Sequence, residues 1–123
     1  MRGSKAYAER HRGEVRALIL LDFIAAKGMR IQREAGSDPG LWDQLRRAAR
    51  TVGAASAFPP GTGSPITDDH TPFVAQGVPA IDLIQWPYDC WHQPCDDLSA
   101  VSERSLDQSG ETVMELVRTL SAP

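Results

Sequence analysis

Asp68-Asp69-His70-Thr71-Pro72-Phe73, followed by Gly77-Val78-Pro79-Ala80-Ile81-Asp82-Leu83-Ile84 and then Trp91-His92 with Asp96-Asp97, are the phrases that decide the reading of this chain. They lie in one segment, Ile66 to Asp97. Its middle, Val78 to Ile84, is a short apolar run bounded by a glycine turn and a proline-rich loop, which reads as a buried strand. Polar residues crowd both ends of that run, as when a strand delivers its loops to a site. His70 to Gln76 reads as a short helix stopped by Gly77.

Moving outward, Val15 to Ile24 is a second, nearly continuous apolar run that reads as a strand buried on both faces, a feature of parallel sheets. It carries Asp22 near its carboxyl end, where open α/β sheets place ligand chemistry. Residues 4 to 12 read as a polar helix. Ser37-Asp38-Pro39 supplies a cap and a proline at a first helical position. Leu41, Leu45, Ala48, Ala49 and Val52 then recur at helical spacing up to Gly53. Residues 54 to 65 form a loop by composition. Ser102 caps a last helix, Glu103 to Leu120, with Leu106, Val113, Leu116, Val117 and Leu120 on one face. Gly110 inside that helix costs about 1 kcal/mol against alanine, which predicts close packing there.

The order helix, strand, helix, strand, helix predicts an α/β layering in a single domain over residues 1 to 123. Two buried-type strands need neighbours on their edges, so the chain reads as part of a larger sheet. An upstream half of the same fold, or a second copy, is the expected cover. A hydrophobic share of 41% and a charged share of 24% are ordinary for a globular protein. The net charge of −3 and the lack of a basic face exclude a nucleic-acid partner; Arg46, Arg47 and Arg50 read as the solvated side of an amphipathic helix. The run Ala17 to Leu21 is far short of a membrane span. Met1 to Lys5 leads into a polar helix with no secretory h-region, and the compartment stays unassigned.

Asp22, Asp68, Asp69, His70 and His92 are the candidate polar constellation, with Asp82 inside the second strand. Aspartate and histidine suit zinc, and a catalytic zinc takes about three protein ligands plus water. Asp22 and His92 are the two good candidates, one short of a centre. Asp96 and Asp97 are placed to orient the His92 imidazole from behind. Cys90 and Cys95 flank that histidine and could form a small disulfide, remain free thiols, or join a metal site. Ser64 lacks a nucleophile elbow. Gly61-Thr62-Gly63-Ser64 lacks the lysine and helix of a phosphate loop.

Taken together, the Asp-Asp-His, Gly-Val-Pro and Trp-His phrases resemble the C-terminal half of the zinc-dependent aminopeptidases and glutaminyl cyclases (clan MH metallopeptidases). Leu20-Leu21-Asp22-Phe23-Ile24 and Leu98-Ser99-Ala100-Val101-Ser102 fit the same pattern, so the likeness covers nearly the whole chain. It implies a mostly parallel three-layer αβα sheet, phosphorylase/hydrolase-like, whose N-terminal half is missing. It implies zinc as cofactor, one or two ions in the complete enzyme, with His92 and Asp22 as metal ligands; in the cyclases the aspartate hydrogen-bonds within the site instead. It also implies that Asp68 is the carboxylate handling substrate protons, that Trp91 and His70 bind substrate, and that the substrate is the N-terminus of a peptide.

Asp82 departs from the animal cyclases, which carry histidine there. The family's His-x-Asp motif and its Glu-Glu pair, which contains the general base, are expected upstream of Met1. The expectation is therefore a portion of an aminopeptidase-like metallopeptidase that is inactive alone. The alternatives are a glutaminyl-peptide cyclotransferase and a non-catalytic remnant docked on a partner.

Overall fold

The computed structural model describes residues 1–123. Its elements in chain order are α1 (Arg2–Arg10), β1 (Leu18–Leu21), α2 (Pro39–Thr51), α3 (Thr71–Val74), β2 (Ala80–Leu83) and α4 (Glu103–Ser121), with single 3-10 turns at Ala55–Ala57 and Leu98–Ala100. This is an α/β fold with a small parallel sheet.

β1 and β2 pair in parallel with Leu18 opposite Ala80 and Leu21 opposite Leu83. Side chains alternate across a strand, so the sheet feeds two apolar clusters. Ile19, Ile81 and Leu83 pack with Leu41, Trp42, Leu45, Ala48 and Ala49 of α2 and Leu116 of α4. Leu18 and Ala80 pack with Ala8 of α1 and Phe73 of α3. All four residues of β2 are buried, Asp82 among them, as the apolar run around that aspartate predicts. β1 is shorter and more open than the run Val15–Ile24 predicts, with Leu21 46% exposed. It has β2 as its one neighbour, so the ladder extends only as far as that strand reaches. The far edge of β2 is taken by the loop before α2: Asp38 N–H donates to Ala80 O at 2.8 Å, and Asp82 N–H to Ser37 Oγ at 2.9 Å.

Local signals set the helix ends. Asp38 caps α2 by accepting from Leu41 N–H at 2.7 Å, with Pro39 at the first position. Gly53 and Gly77 follow α2 and α3 with φ of 76° and 77°, a left-handed conformation that glycine adopts without a Cβ penalty. The segment expected as plain loop contributes to the core, with Ala57 and Phe58 fully buried.

α4 differs from its expected face. Leu116 is buried, but Leu106 and Val117 are exposed, and the inward positions are Ser105, Ser109 and Thr112. Their hydroxyls are satisfied: Ser105 Oγ donates to Ala26 O at 2.7 Å, Ser109 Oγ lies 3.0 Å from Ile24 O, and Thr112 Oγ1 lies 2.6 Å from Gln108 O. Small hydroxyl residues let the helix approach the chain that leaves β1 while leaving no orphaned polar atom. Gly110 is exposed, and a Cβ there meets nothing within 4 Å, so the expected close packing is not its role. No helix is long and apolar enough to cross a membrane.

Candidate active site

Asp22 directly follows β1, and its N–H donates to Leu83 O at 3.0 Å, so it stands at the carboxyl end of the sheet. Asp68 comes to it from the turn before α3. That turn is closed locally: Asp68 N–H donates to Thr71 Oγ1 at 3.1 Å, Thr71 N–H to Asp68 O at 2.9 Å, and Asp69 N–H to Asp68 Oδ1 at 2.7 Å. Burial first, then the neighbouring Asp68 carboxyl and the charge of Asp69, raise the Asp22 carboxyl to about 6. Asp69 turns away, accepting from Ser4 Oγ at 2.6 Å at the start of α1, which lowers its own pKa.

Behind this pair is a buried polar cluster. Glu34 is 3% exposed and collects donors. Gly36 N–H and Ile66 N–H reach its Oε1 at 2.7 and 2.8 Å, and Ser37 Oγ–H reaches Oε2 at 3.0 Å. Burial pushes the Glu34 carboxyl up, but those donors and the neighbouring imidazole outweigh it and hold it below the usual range. His70 is 2% exposed, with Nε2 3.2 Å from Glu34 Oε2 and Nδ1 3.7 Å from Asp82 Oδ2. The imidazole expected against substrate is therefore inside, turned to two carboxylates. Asp82 is fully buried and neither carboxyl oxygen has a hydrogen-bond partner. Burial, then the charges of Asp68, Asp22 and Glu34, raise it to about 7.

The loop after β2 brings the aromatics. Gln85 N–H donates to Phe23 O at 3.0 Å, and the Phe23 and Tyr88 rings lie 5.3 Å apart, so this loop sits beside the Asp22 end of the sheet. Trp86 meets Trp91 edge-on at 5.2 Å, and Trp91 stacks on His92 at 4.2 Å. Trp91 and His92 are exposed, and His92 has a φ of 55°, uncommon outside glycine. Cys90 and Cys95 are disulfide-bonded, which settles the three options left by the sequence and closes a ring around Trp91 and His92. Asp96 accepts from Tyr88 Oη at 3.0 Å and Asp97 from Ser99 N–H at 2.8 Å, so these carboxylates brace the loop rather than His92.

The sequence reading did not find Glu34 or Ser37. Glu34 sits in a polar stretch that reads as surface, and its partners at 66 and 70 are distant in sequence. Nowhere do three or more His, Cys, Asp or Glu side chains come together as a metal would need. The residues of this chain therefore do not build a zinc centre by themselves.

Residues 1–117 match the family described as Peptidase family M28. The chain belongs to that family. Among curated proteins, the chain is similar to a glutaminyl-peptide cyclotransferase-like protein of Mus musculus, 49% identical over 39 residues, which are 31% of this chain and 9% of that protein. Among solved structures, a glutaminyl cyclase from an Acidobacteriales bacterium superposes with a TM-score of 0.89 at 29% identity, over 96% of this chain and 45% of that one. A leucine aminopeptidase precursor from Bacteroides thetaiotaomicron gives 0.82 at 25%, over 94% and 42%. A zinc-dependent exopeptidase from Parabacteroides distasonis shares the fold at 0.81 and 24%, over 94% and 44%. This M28 chain thus spans under half the length of each.

Proposed function

We propose that this chain is the carboxyl-terminal portion of a zinc-dependent M28 enzyme acting at the N-terminus of peptides, and that glutaminyl cyclisation is the reaction its geometry favours. The observation that carries the choice is the placement of the Asp68 carboxyl beside Asp22 at the carboxyl end of the sheet, where it helps raise the Asp22 carboxyl to about 6. An aspartate whose pKa is raised by a neighbouring carboxyl is a poorer metal ligand than an ordinary one, since a ligating carboxylate must be deprotonated. Cyclisation joins the α-amino nitrogen to the γ-carbonyl carbon and expels ammonia. One proton must leave the attacking amine and one must reach the departing nitrogen. A carboxyl raised to about 6, as that of Asp22 is, with a second carboxylate beside it, is suited to taking part in both transfers.

In this reading Asp68 handles the protons, Trp91 walls the pocket, and His92 supplies a ligand to a zinc whose other ligands lie outside these 123 residues. When bound, zinc would polarise the substrate carbonyl. His70 supports the site from inside. The sheet is one part of a mostly parallel three-layer αβα arrangement, and β1's open edge is where the other half, or a second copy, adds strands. The chain alone is expected to bind zinc weakly and turn over nothing.

The second reading is aminopeptidase-like hydrolysis, in which the deprotonated Asp22 carboxylate would ligate a second zinc. It is favoured by the likeness to the leucine aminopeptidase precursor. Calorimetry separates these readings. With the chain reconstituted with the upstream half of an M28 relative, cyclisation predicts one zinc per complex, lost on His92→Ala and retained on Asp22→Asn. Two zincs, one lost on Asp22→Asn, would support the aminopeptidase. Parallel assays with a glutaminyl peptide and an aminoacyl-p-nitroanilide report the activity itself.

A further inference from the structure

We infer that Glu34 is a positioning residue whose carboxylate clamps both ends of the Ile66–His70 segment and so sets Asp68 against Asp22. Its importance to catalysis rests on the reading of Asp68 given above; the clamp itself rests on geometry alone.

One oxygen of Glu34 accepts from Ile66 N–H at 2.8 Å, and the other lies 3.2 Å from His70 Nε2. These two attachment points stand two residues either side of Asp68. The turn between them has its own short bonds, which fix its shape but not its place on the sheet. Asp69 on Ser4 and Phe73 against Ala80 anchor its flanks, and Glu34 ties it to the sheet from within. That carboxylate is tied through Ser37 Oγ, at 3.0 Å, to the N–H of Asp82 in β2, at 2.9 Å. The path from Asp68 to the sheet thus runs through buried groups: Ile66 and His70 to Glu34, Glu34 to Ser37, Ser37 to β2. Asp22 belongs to the paired strand, so the same frame holds both acids. Buried, multiply bonded carboxylates of this kind over-determine the backbone around them. A cation-binding role for the cluster is disfavoured, because Glu34 is saturated by donors and His70 Nε2 faces it.

Backbone amide exchange on the chain itself tests this. Glu34→Gln keeps the size but gives Ser37 and His70 a donor group where an acceptor stood. The expected result is exchange at Asp68, Asp69 and Thr71 faster by about tenfold or more, with Leu18 and Val52 unchanged, since local opening is distinguishable from global unfolding. Unchanged rates at Asp68 to Thr71, or an equal rise at all five amides, would overturn the clamp. Should the variant fail to fold, the unsubstituted chain decides: a slowly exchanging ring N–H on His70 Nε2 supports the contact, and its absence at neutral pH refutes it. Turnover is not a readout here, so a failed activity assay leaves the result intact.

Discussion

Glu34 and His70 meet inside the molecule, 3.2 Å apart and each with a side chain only 2% exposed. Deleting the carboxylate would strand the Gly36 and Ile66 amides, the Ser37 hydroxyl and the imidazole at once. Glu34→Ala is therefore expected to lower stability by about 3 kcal/mol or more, the scale for breaking a buried charged hydrogen-bond group. Ser37→Ala, which removes one donor to Glu34 and the acceptor of Asp82 N–H, should cost about 1–3 kcal/mol. Urea unfolding midpoints of both variants check the order.

Asp82 makes stability fall as pH rises. Its carboxyl titrates from 3.8 unfolded to about 7 folded, so between those values the folded chain holds a proton that the unfolded chain has released. The loss is on the order of 2–4 kcal/mol, complete by about pH 8. Glu34 works the other way: its lowered pKa gives stability that is present above the usual carboxylate range and lost as pH falls through its folded value. A stability maximum on the acidic side of neutrality follows. Asp82→Asn should raise the urea midpoint at pH 8 while leaving it nearly unchanged at pH 4.

Gly110 offers a gain. It is exposed inside α4 with open space where a methyl would go, so Gly110→Ala should stabilise the chain by about 0.5–1 kcal/mol. A melting temperature no higher than that of the parent chain would contradict this.

Reducing the Cys90–Cys95 bond should loosen the aromatic loop without disturbing the sheet. The closed loop is short, so the stabilisation lost is about 2 kcal/mol or less. Amide exchange should speed up at Trp91 and Gln93, whose N–H groups bond to Tyr88 O and Cys90 O, and stay constant at Leu18.

The strands and helix caps were legible because their signals are local. The apolar run of β2, the Asp38-Pro39 cap and the glycines at 53 and 77 each act through immediate neighbours. Asp22 and Asp68 were legible as candidates from their places beside the apolar runs. The inner face of α4 was not legible. Its apolar residues pointed to the face of Leu106 and Val117, yet Ser105, Ser109 and Thr112 face inward, because a hydroxyl can return its hydrogen bond to a carbonyl of its own helix or the adjoining chain and be buried. Glu34 was hidden for a related reason: acidity suggests water, and only the fold reveals donors from positions 36, 37, 66 and 70.

The loop at Ser37 and Asp38 has one more consequence, for direction of growth. By occupying Ala80 O and Asp82 N–H it ends the ladder beyond β2 and leaves the outer edge of Leu18–Leu21 without a strand beside it. On the reading proposed above, growth of this α/β unit would be one-sided, and a newcomer strand would be laid down next to the one that Asp22 follows.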